Sequence, residues 1–564
     1  MINKIKNIII KNNLDGYIVP KNDKFFTEYS KVSNLELVAN FNGSAGFAII
    51  LKKKNYLFVD GRYTIQAKKQ SGKKFKIFEI PFTWPRNIFS DSKNRLNIGF
   101  DPKLFTYNSL KNYFYNTCDL SPINEDLFYK KNNKDLNINK FYKLNESVVG
   151  ESSKSKINRV VKILIKKKID YYFVTAGENI CWLMNIRGKD LPNSPIANCN
   201  IILTKDKKIY FFSNLKKISK IKKKFINQTV YFYEEEKFFE ILRSFKQGSF
   251  CIDNKTCSVF NEEIIKSNFI IKEKNDFIYY LKSIKNKTEI KNMIQAHIED
   301  GVALTRFLYW IKNIRKLNLT EKQVEKRLEN FRKQNKNYLY PSFDTIAGSG
   351  PNGAIIHYRS NKQSNRKLKK NDLLLLDSGG QYKWGTTDVT RTICFSKITK
   401  KIKGIFTRVL KGHIAVAQSN INLEKTGHNI DKKARQSLKK VGLDYKHGTG
   451  HGVGFFLNVH EGPQSISKNN HFKLEEGMIV SNEPGYYLEN SYGIRIENLV
   501  FIKKTNNKLY FENLTLAPID KDLIEEKMLT NKEKDYLFNY HLETYSKISP
   551  FLNKNQKKWL AKLI

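Results

Sequence analysis

Ile8-Ile9-Ile10-Lys11-Asn12-Asn13-Leu14-Asp15-Gly16-Tyr17-Ile18-Val19 returns later in the chain as Ile163-Leu164-Ile165-Lys166-Lys167-Lys168-Ile169-Asp170-Tyr171-Tyr172-Phe173-Val174. Each stretch reads as a helix end passing through a short polar link into a β-rich strand. Further on, Ile49-Ile50-Leu51 then Tyr56-Leu57-Phe58 is mirrored by Ile201-Ile202-Leu203 then Ile209-Tyr210-Phe211-Phe212. Both pairs are apolar strands joined by a Lys-rich turn, which is a hairpin signal. Two matches in the same order indicate two copies of one α/β unit, each of about 150 residues.

Working outward, small polar residues at Glu151-Ser152-Ser153-Lys154-Ser155 interrupt the pattern, so the copies are expected at 1–150 and 151–286. Past Lys285-Asn286-Lys287-Thr288, the residues Ile290, Met293, Ile294, His297, Gly301, Leu304, Leu308 and Ile311 keep the spacing of one face of a long helix. Thr320-x-x-Gln323 is a capping box, in which each side chain satisfies an orphan N–H at a helix start. Thr530-x-x-Glu533 repeats that signal near the C-terminus. A third domain is therefore expected at 287–516, with a helical extension at 517–564. A chain of 564 residues is too long for a single core, which agrees with this division.

Lys+Arg number 100 against 54 Asp+Glu, a net charge of +46. The excess is mostly Lys, spread along the chain in short runs such as Lys52-Lys53-Lys54 and Lys222-Lys223-Lys224. Neither an Arg-rich cluster nor a nucleic-acid module accompanies it, so a solvated basic surface is expected and no nucleic-acid partner. A hydrophobic share of 40% with 27% charged residues excludes wholesale disorder. Six Cys without a CxxC pair suit a reduced compartment. Ile8-Ile9-Ile10 is too short for a signal h-region. No run of about 18 apolar residues offers a membrane span. A cytoplasmic protein with no membrane partner is expected.

The first 286 residues offer no catalytic constellation; the third domain does. Leu373-Leu374-Leu375-Leu376-Asp377 reads as a buried strand ending in a carboxylate, and Asp388-Val389-Thr390-Arg391-Thr392-Ile393 as the next strand. A hairpin would turn Asp377 and Asp388 toward one point. Burying two carboxylates together is unfavourable unless a cation lies between them. Lys446-His447-Gly448-Thr449-Gly450-His451-Gly452-Val453-Gly454 and Val459-His460-Glu461 place three of the nine His within one Gly-rich loop. Glu483 ends the strand Gly477-Met478-Ile479-Val480-Ser481-Asn482-Glu483. In Gly493-Ile494-Arg495-Ile496-Glu497-Asn498, Arg495 and Glu497 are expected on one face of a strand, Arg495 being able to orient a ligand carboxylate. The four carboxylates Asp377, Asp388, Glu483 and Glu497 balance two divalent ions, with one imidazole completing the shell. An oxygen-rich set favours a hard ion such as Mn²⁺. Two such ions could share a water and polarise a carbonyl, the layout of metal-assisted hydrolysis.

The order Asp377, Asp388, His451, Glu483, Glu497 resembles that of the pita-bread metallopeptidases, the fold of methionine aminopeptidase, prolidase and aminopeptidase P. The segments 447–454, Phe456-Leu457-Asn458-Val459-His460-Glu461-Gly462-Pro463 and Asn482-Glu483-Pro484-Gly485-Tyr486-Tyr487 are similar to the three-domain Xaa-Pro aminopeptidases of that family. The resemblance covers the whole chain. It implies an α/β (α+β) architecture of two creatinase-like domains before a pita-bread catalytic domain. It also implies metal ligation by Asp377, Asp388, His451, Glu483 and Glu497, with Glu483 as base. His357, His447 and His460 are implied around the substrate, and Arg495 in the metal-side network. Apart from the resemblance, His357 in Ile355-Ile356-His357-Tyr358 reads as a strand histidine. The implied reaction removes an N-terminal residue from peptides with proline second, and the implied assembly is a homodimer in which Trp559 and Leu560 could pack at the interface. The alternatives are a prolidase acting on Xaa-Pro dipeptides and a non-catalytic pita-bread binding protein.

Overall fold

The computed structural model describes residues 1–564 apart from 29, 31–32, 91–94, 126, 129–137 and 226–228. It falls into two compact units, Met1–Ile278 and Tyr279–Ile564.

Within the first unit, the opening helix Ile2–Lys11 buries Ile5, Ile8 and Ile9, the spacing of one helical face. It leads into the fully buried strand Gly16–Pro20. The later copy does the same. Helix Ser153–Lys166, capped by the Ser152 side chain accepting from the Ser155 N–H, buries Ile157, Val160, Val161 and Leu164 before strand Tyr171–Val174. Each helix–strand pair seeds a six-stranded sheet. The first uses Gly16–Pro20, Phe47–Leu51, Asn55–Asp60, Lys76–Ile80, Leu96–Phe100 and Cys118–Pro122. The second uses Tyr171–Val174, Asn200–Thr204, Ile209–Phe212, Val230–Tyr233, Ser249–Ile252 and Ile270–Glu273. Numbered along the chain, both sheets run fourth, third, second, first, fifth, sixth. The central three strands are antiparallel and the outer ones join in parallel in both. The sequence repeat is thus a repeat of topology.

The second unit contains two helix pairs, each laid over an antiparallel sheet. Helix Lys287–Lys312 starts at Asn286, whose side chain accepts from the Thr288 and Glu289 N–H groups while Glu289 accepts in return. Helix Glu321–Lys333 carries the expected Thr320–Gln323 capping box. Leu304, Phe307, Leu308, Ile311, Val324 and Leu328 of this pair pack with Leu374, Leu376, Val389 and Ile393 of the sheet Ile346–Ser349, Leu374–Ser378, Val389–Ile393. The second pair, Lys400–Ala417 and Gly427–Lys439, packs Val416, Ile430 and Ala434 on Ile466, Val480, Val500 and Ile502 of a five-stranded sheet. That sheet runs Glu461–Ile466, Gly450–Gly452, Ile479–Asn482, Asn498–Thr505, Lys508–Asn513.

Two expectations change here. The segment 493–498 is not one strand: Tyr492–Arg495 pairs with Gly485–Leu488, and Asn498–Thr505 belongs to the five-stranded sheet. Glu497 stands in the break between them, so the period of two does not relate it to Arg495. Of the C-terminal pair, Leu560 does not face outward as an interface, while Trp559 is half-buried. Leu560 is fully buried with Leu516, Ile548 and Leu552, and the Trp559 ring meets Tyr309 edge-on at 5.9 Å. Helix Asn531–Ile548 does carry the Thr530–Glu533 box.

Candidate active site

The first sheet of the second unit supplies two carboxylates. Asp377 lies one residue before the end of Leu374–Ser378 and pairs in register with Thr390 of Val389–Ile393, while Asp388 directly precedes that strand. The five-stranded sheet supplies the rest. His451 is the middle residue of the short strand Gly450–Gly452, not a loop residue as expected, and Glu483 follows strand Ile479–Asn482. The glycines beside His451 are required by packing: a Cβ on Gly450 would lie 1.8 Å from the Ser481 carbonyl oxygen.

Asp388, His451 and Glu497 bring ligand atoms within 4.8 Å of one another. Glu483 joins them, its Oε1 being 3.5 Å from His451 Nε2, while Asp388 Oδ2 is 3.4 Å from the same nitrogen. His451 Nδ1 lies 2.9 Å from the Gly452 carbonyl and donates to it. The ring therefore turns Nε2 toward the carboxylates, the tautomer a metal ligand needs. His447 sits 3.8 Å from Glu483 Oε2, and the His460 ring meets His451 edge-on at 4.3 Å. His357 is in a turn rather than a strand, just after the 3₁₀ helix Gly350–Ala354 that packs on the hairpin carrying Arg495. Pro351 at the start of that helix removes an N–H and ends strand pairing.

Around these groups runs a network that the sequence did not reveal. Arg495 donates from Nε to the Thr390 hydroxyl at 3.1 Å, from Nη1 to the Tyr487 hydroxyl at 2.6 Å, and from Nη2 to Asp377 Oδ2 at 2.5 Å. All three guanidinium nitrogens thus face protein groups, so Arg495 braces the site instead of reaching for a ligand carboxylate. The Tyr487 hydroxyl in turn donates to His447 Nε2 at 2.8 Å, and His447 Nδ1 donates to the Gly448 carbonyl at 2.7 Å. Thr390 donates to Glu497 Oε2 at 2.7 Å. Buried Arg391 donates to the Glu497 carbonyl at 2.7 Å and to the Ala517 carbonyl at 2.7 Å. An Arg within a run of β-branched strand residues was the available signal for Arg391; Tyr487 and Thr390 carried none.

The electrostatics show what the cluster lacks. Burial, with the charges of Asp377 and Glu483 beside it, pushes Asp388 up to about 6 against the pull of its hydrogen bond to His451. Burial, then the charges of Asp388, Glu483 and Asp377, hold Glu497 well above the ordinary range. Burial opposes charge on His451, yet its bond to Asp388 and the charge of Glu483 push it up to about 9. Asp377 Oδ1 is buried without a hydrogen bond. In the absence of a cation, protons take up part of the negative charge, and the donor set suits hard divalent ions. A second group, Cys394, Asp520 and Asp522, differs: the Lys312 ammonium already donates to Asp520 at 2.9 Å and to Asp522 at 2.8 Å.

Models of the creatinase/prolidase N-terminal domain match residues 1–127 and 132–289, that of metallopeptidase family M24 matches 291–504, and that of the peptidase M24 C-terminal region matches 507–563. A Laccaria bicolor protein named "Probable Xaa-Pro aminopeptidase P" is 36% identical over 602 residues, covering 99% of this chain and 92% of that protein. The crystal structure of a Caenorhabditis elegans X-prolyl aminopeptidase, described as a cytosolic enzyme with a di-nuclear active site, aligns with a TM-score of 0.91 and 28% identity, covering 98% of this chain and 95% of that one. A Pyrococcus horikoshii prolidase aligns with a TM-score of 0.54 and 26% identity, covering 65% of this chain and 99% of that one. Fold and site define a metal-dependent peptidase of the pita-bread class. The chain belongs to metallopeptidase family M24 and has the creatinase-type domains and C-terminal region of its full-length Xaa-Pro aminopeptidases.

Proposed function

We propose that this protein is a Xaa-Pro aminopeptidase that removes the N-terminal residue from peptides with proline in second position. The observation that carries the reading is similarity over the whole chain: the Laccaria bicolor and Caenorhabditis elegans aminopeptidases match both N-terminal sheets and the catalytic unit, whereas the Pyrococcus horikoshii prolidase leaves a third of the chain unmatched. The matched segments also support domains at 1–150, 151–286, 287–516 and 517–564.

Asp377, Asp388, His451, Glu483 and Glu497 would hold two divalent ions, most suitably Mn²⁺ given four carboxylates and one imidazole. The ions, when bound, supply the Lewis acidity that makes water nucleophilic at neutral pH and polarises the scissile carbonyl. The protein groups do the rest. Glu483, whose Oε1 accepts from the Ser481 hydroxyl at 3.1 Å, is oriented to take the proton of the attacking water. His460, against His451, is placed to steady the carbonyl oxygen as it gains charge. His447 is held in one tautomer by Tyr487 and Gly448, and with His357 it lines the substrate side. A proline amide lacks the N–H that ordinary peptidases grip, so selectivity must come from ring shape and not from a hydrogen bond.

A cytoplasmic location is supported by six free, buried Cys and by the cytosolic relative; no helix among the described residues is long and apolar enough to cross a membrane. A homodimer is supported by Phe538 and Leu542, exposed one turn apart on helix Asn531–Ile548. The test is turnover of a Xaa-Pro-Xaa tripeptide against a Xaa-Pro dipeptide. Release of the first residue from the tripeptide is expected, and cleavage of the dipeptide alone would overturn the reading in favour of prolidase.

A further inference from the structure

Glu461 follows His460, and its side chain is 1% exposed. Lys282 Nζ, 2% exposed, donates to Glu461 Oε2 at 2.7 Å, and Lys285 Nζ, 1% exposed, donates to Oε1. Gln464 also reaches Oε1, at 3.4 Å. Two buried lysines share this one carboxylate, and Glu289 is the next acid acting on Lys285. Buried ion pairs are generally no more stabilising than apolar groups of the same volume, so stability alone does not account for this arrangement.

Its position suggests what it does. The Glu461 backbone pairs with Gly452, the neighbour of His451, so the carboxylate sits where the turn carrying His460 joins the strand carrying His451. Gly454 passes so close that a Cβ there would lie 3.2 Å from Glu461 Oε2. The lysines are themselves tied down: Lys285 N donates to the Gly477 carbonyl at 3.0 Å, and Ile284 bridges to Met478. Gly477 and Met478 lead directly into the strand that delivers Glu483. A rigid link therefore runs from the Glu483 strand through Lys282 and Lys285 to the His460 turn. Both lysines precede the segment matched by the catalytic-domain model, 291–504, yet belong to the compact unit that begins at Tyr279.

We propose that Lys282 and Lys285 are positioning residues for His460, acting through Glu461. This rests on the aminopeptidase reading for its kinetic arm only. The experiment is a double-mutant cycle on the full-length enzyme with Lys285→Met and His460→Ala, since methionine keeps the length of the lysine stem and leaves a neutral Lys282–Glu461 pair.

With a Xaa-Pro-Xaa tripeptide, Lys285→Met should lower kcat by about tenfold or more, given that a displacement near 1 Å can cost 10². KM should stay within about threefold and metal content should not change. In the His460→Ala background the same substitution should lower kcat by less than about twofold, because the residue it acts through is gone. In ¹⁵N-histidine-labelled protein the His460 imidazole signals should shift or broaden in Lys285→Met while those of His471 stay in place. Equal losses in both backgrounds, a kcat within about twofold of the parent, or unmoved His460 signals would each overturn the proposal. If Lys285→Met does not fold, Lys282→Met carries the same expectations. Should the parent fail to cleave the tripeptide, the aminopeptidase reading fails, and the imidazole signals alone decide the positioning role.

Discussion

Asp276 in the first unit and Asp388 in the second are both pushed up to about 6, for different reasons. Asp276 is raised chiefly by burial, with a lesser push from the Asp253 charge, against hydrogen bonds from Tyr172, from Asn179 at 2.7 Å and from the Ile278 N–H at 2.8 Å. Two buried cations in that unit are likewise bonded: Lys156 donates to Asn185 at 2.8 Å, and Arg187 to the Ile186 carbonyl at 2.8 Å. Asp388 faces further carboxylates with too few protein cations to balance them. The difference teaches that a raised carboxyl is not by itself a site; what marks one is like charge gathered around a point that only an added cation can relieve.

Breaking that gathering should have the largest effect. Glu497→Gln or Asp388→Asn should lower bound metal and abolish turnover while far-ultraviolet circular dichroism stays at the parent value; full activity in either would refute the ligand assignment. Next comes the network behind the ligands. Tyr487→Phe removes the hydroxyl that joins Arg495 to His447 and should reduce activity or metal affinity by about 10–100-fold, the usual range for groups that orient ligands. A loss below about twofold would reduce Tyr487 to packing.

The pH dependence sharpens the contrast. His451, at about 9, and Asp388, at about 6, hold protons in the metal-free protein that a cation must displace. Metal affinity should therefore rise as pH increases from 5 to about 9 and level off above it. Calorimetry in buffers of different ionisation enthalpy should record about one or more protons released per chain at pH 7. Asp276 takes no part, so its replacement should not change that number. The smallest effect on function is expected there: Asp276→Ala should lose about 1–3 kcal/mol of stability, because Tyr172 and Asn179 are left unpaired, with kcat/KM and metal content unchanged. Loss of metal in that variant would contradict the division of labour between the two units.

The features legible in the sequence were those set by local chemistry and pattern. The helix–strand repeat showed in Ile8–Val19 and Ile163–Val174, and the helix starts in Thr320–Gln323 and Thr530–Glu533. The five proposed ligands stood out because acids and a histidine fell at strand ends in one domain. What was hidden depends on pairing between distant segments. Nothing local reveals that residues 496–497 break a strand between two sheets, since both flanks read as buried strand. Arg495 showed a charge but not its three partners, two of which come from a sheet more than a hundred residues away and one from the other strand of its own hairpin. Lys282 and Lys285 read as ordinary surface lysines in a lysine-rich chain until Glu461 appears between them. His413 and His541, outside the Gly-rich segment that set His451 apart, are buried in structural roles, both lowered to about 3 chiefly by burial.

The central claim is that two ions held by Asp377, Asp388, His451, Glu483 and Glu497 support removal of a residue before proline. The most direct test titrates metal-free full-length protein with Mn²⁺, following bound metal and hydrolysis of a Xaa-Pro-Xaa tripeptide in the same samples. Turnover that rises until two ions are bound per chain, and is absent in Glu497→Gln, is the predicted result. Turnover that saturates without metal, or that survives unchanged in Glu497→Gln, would contradict it.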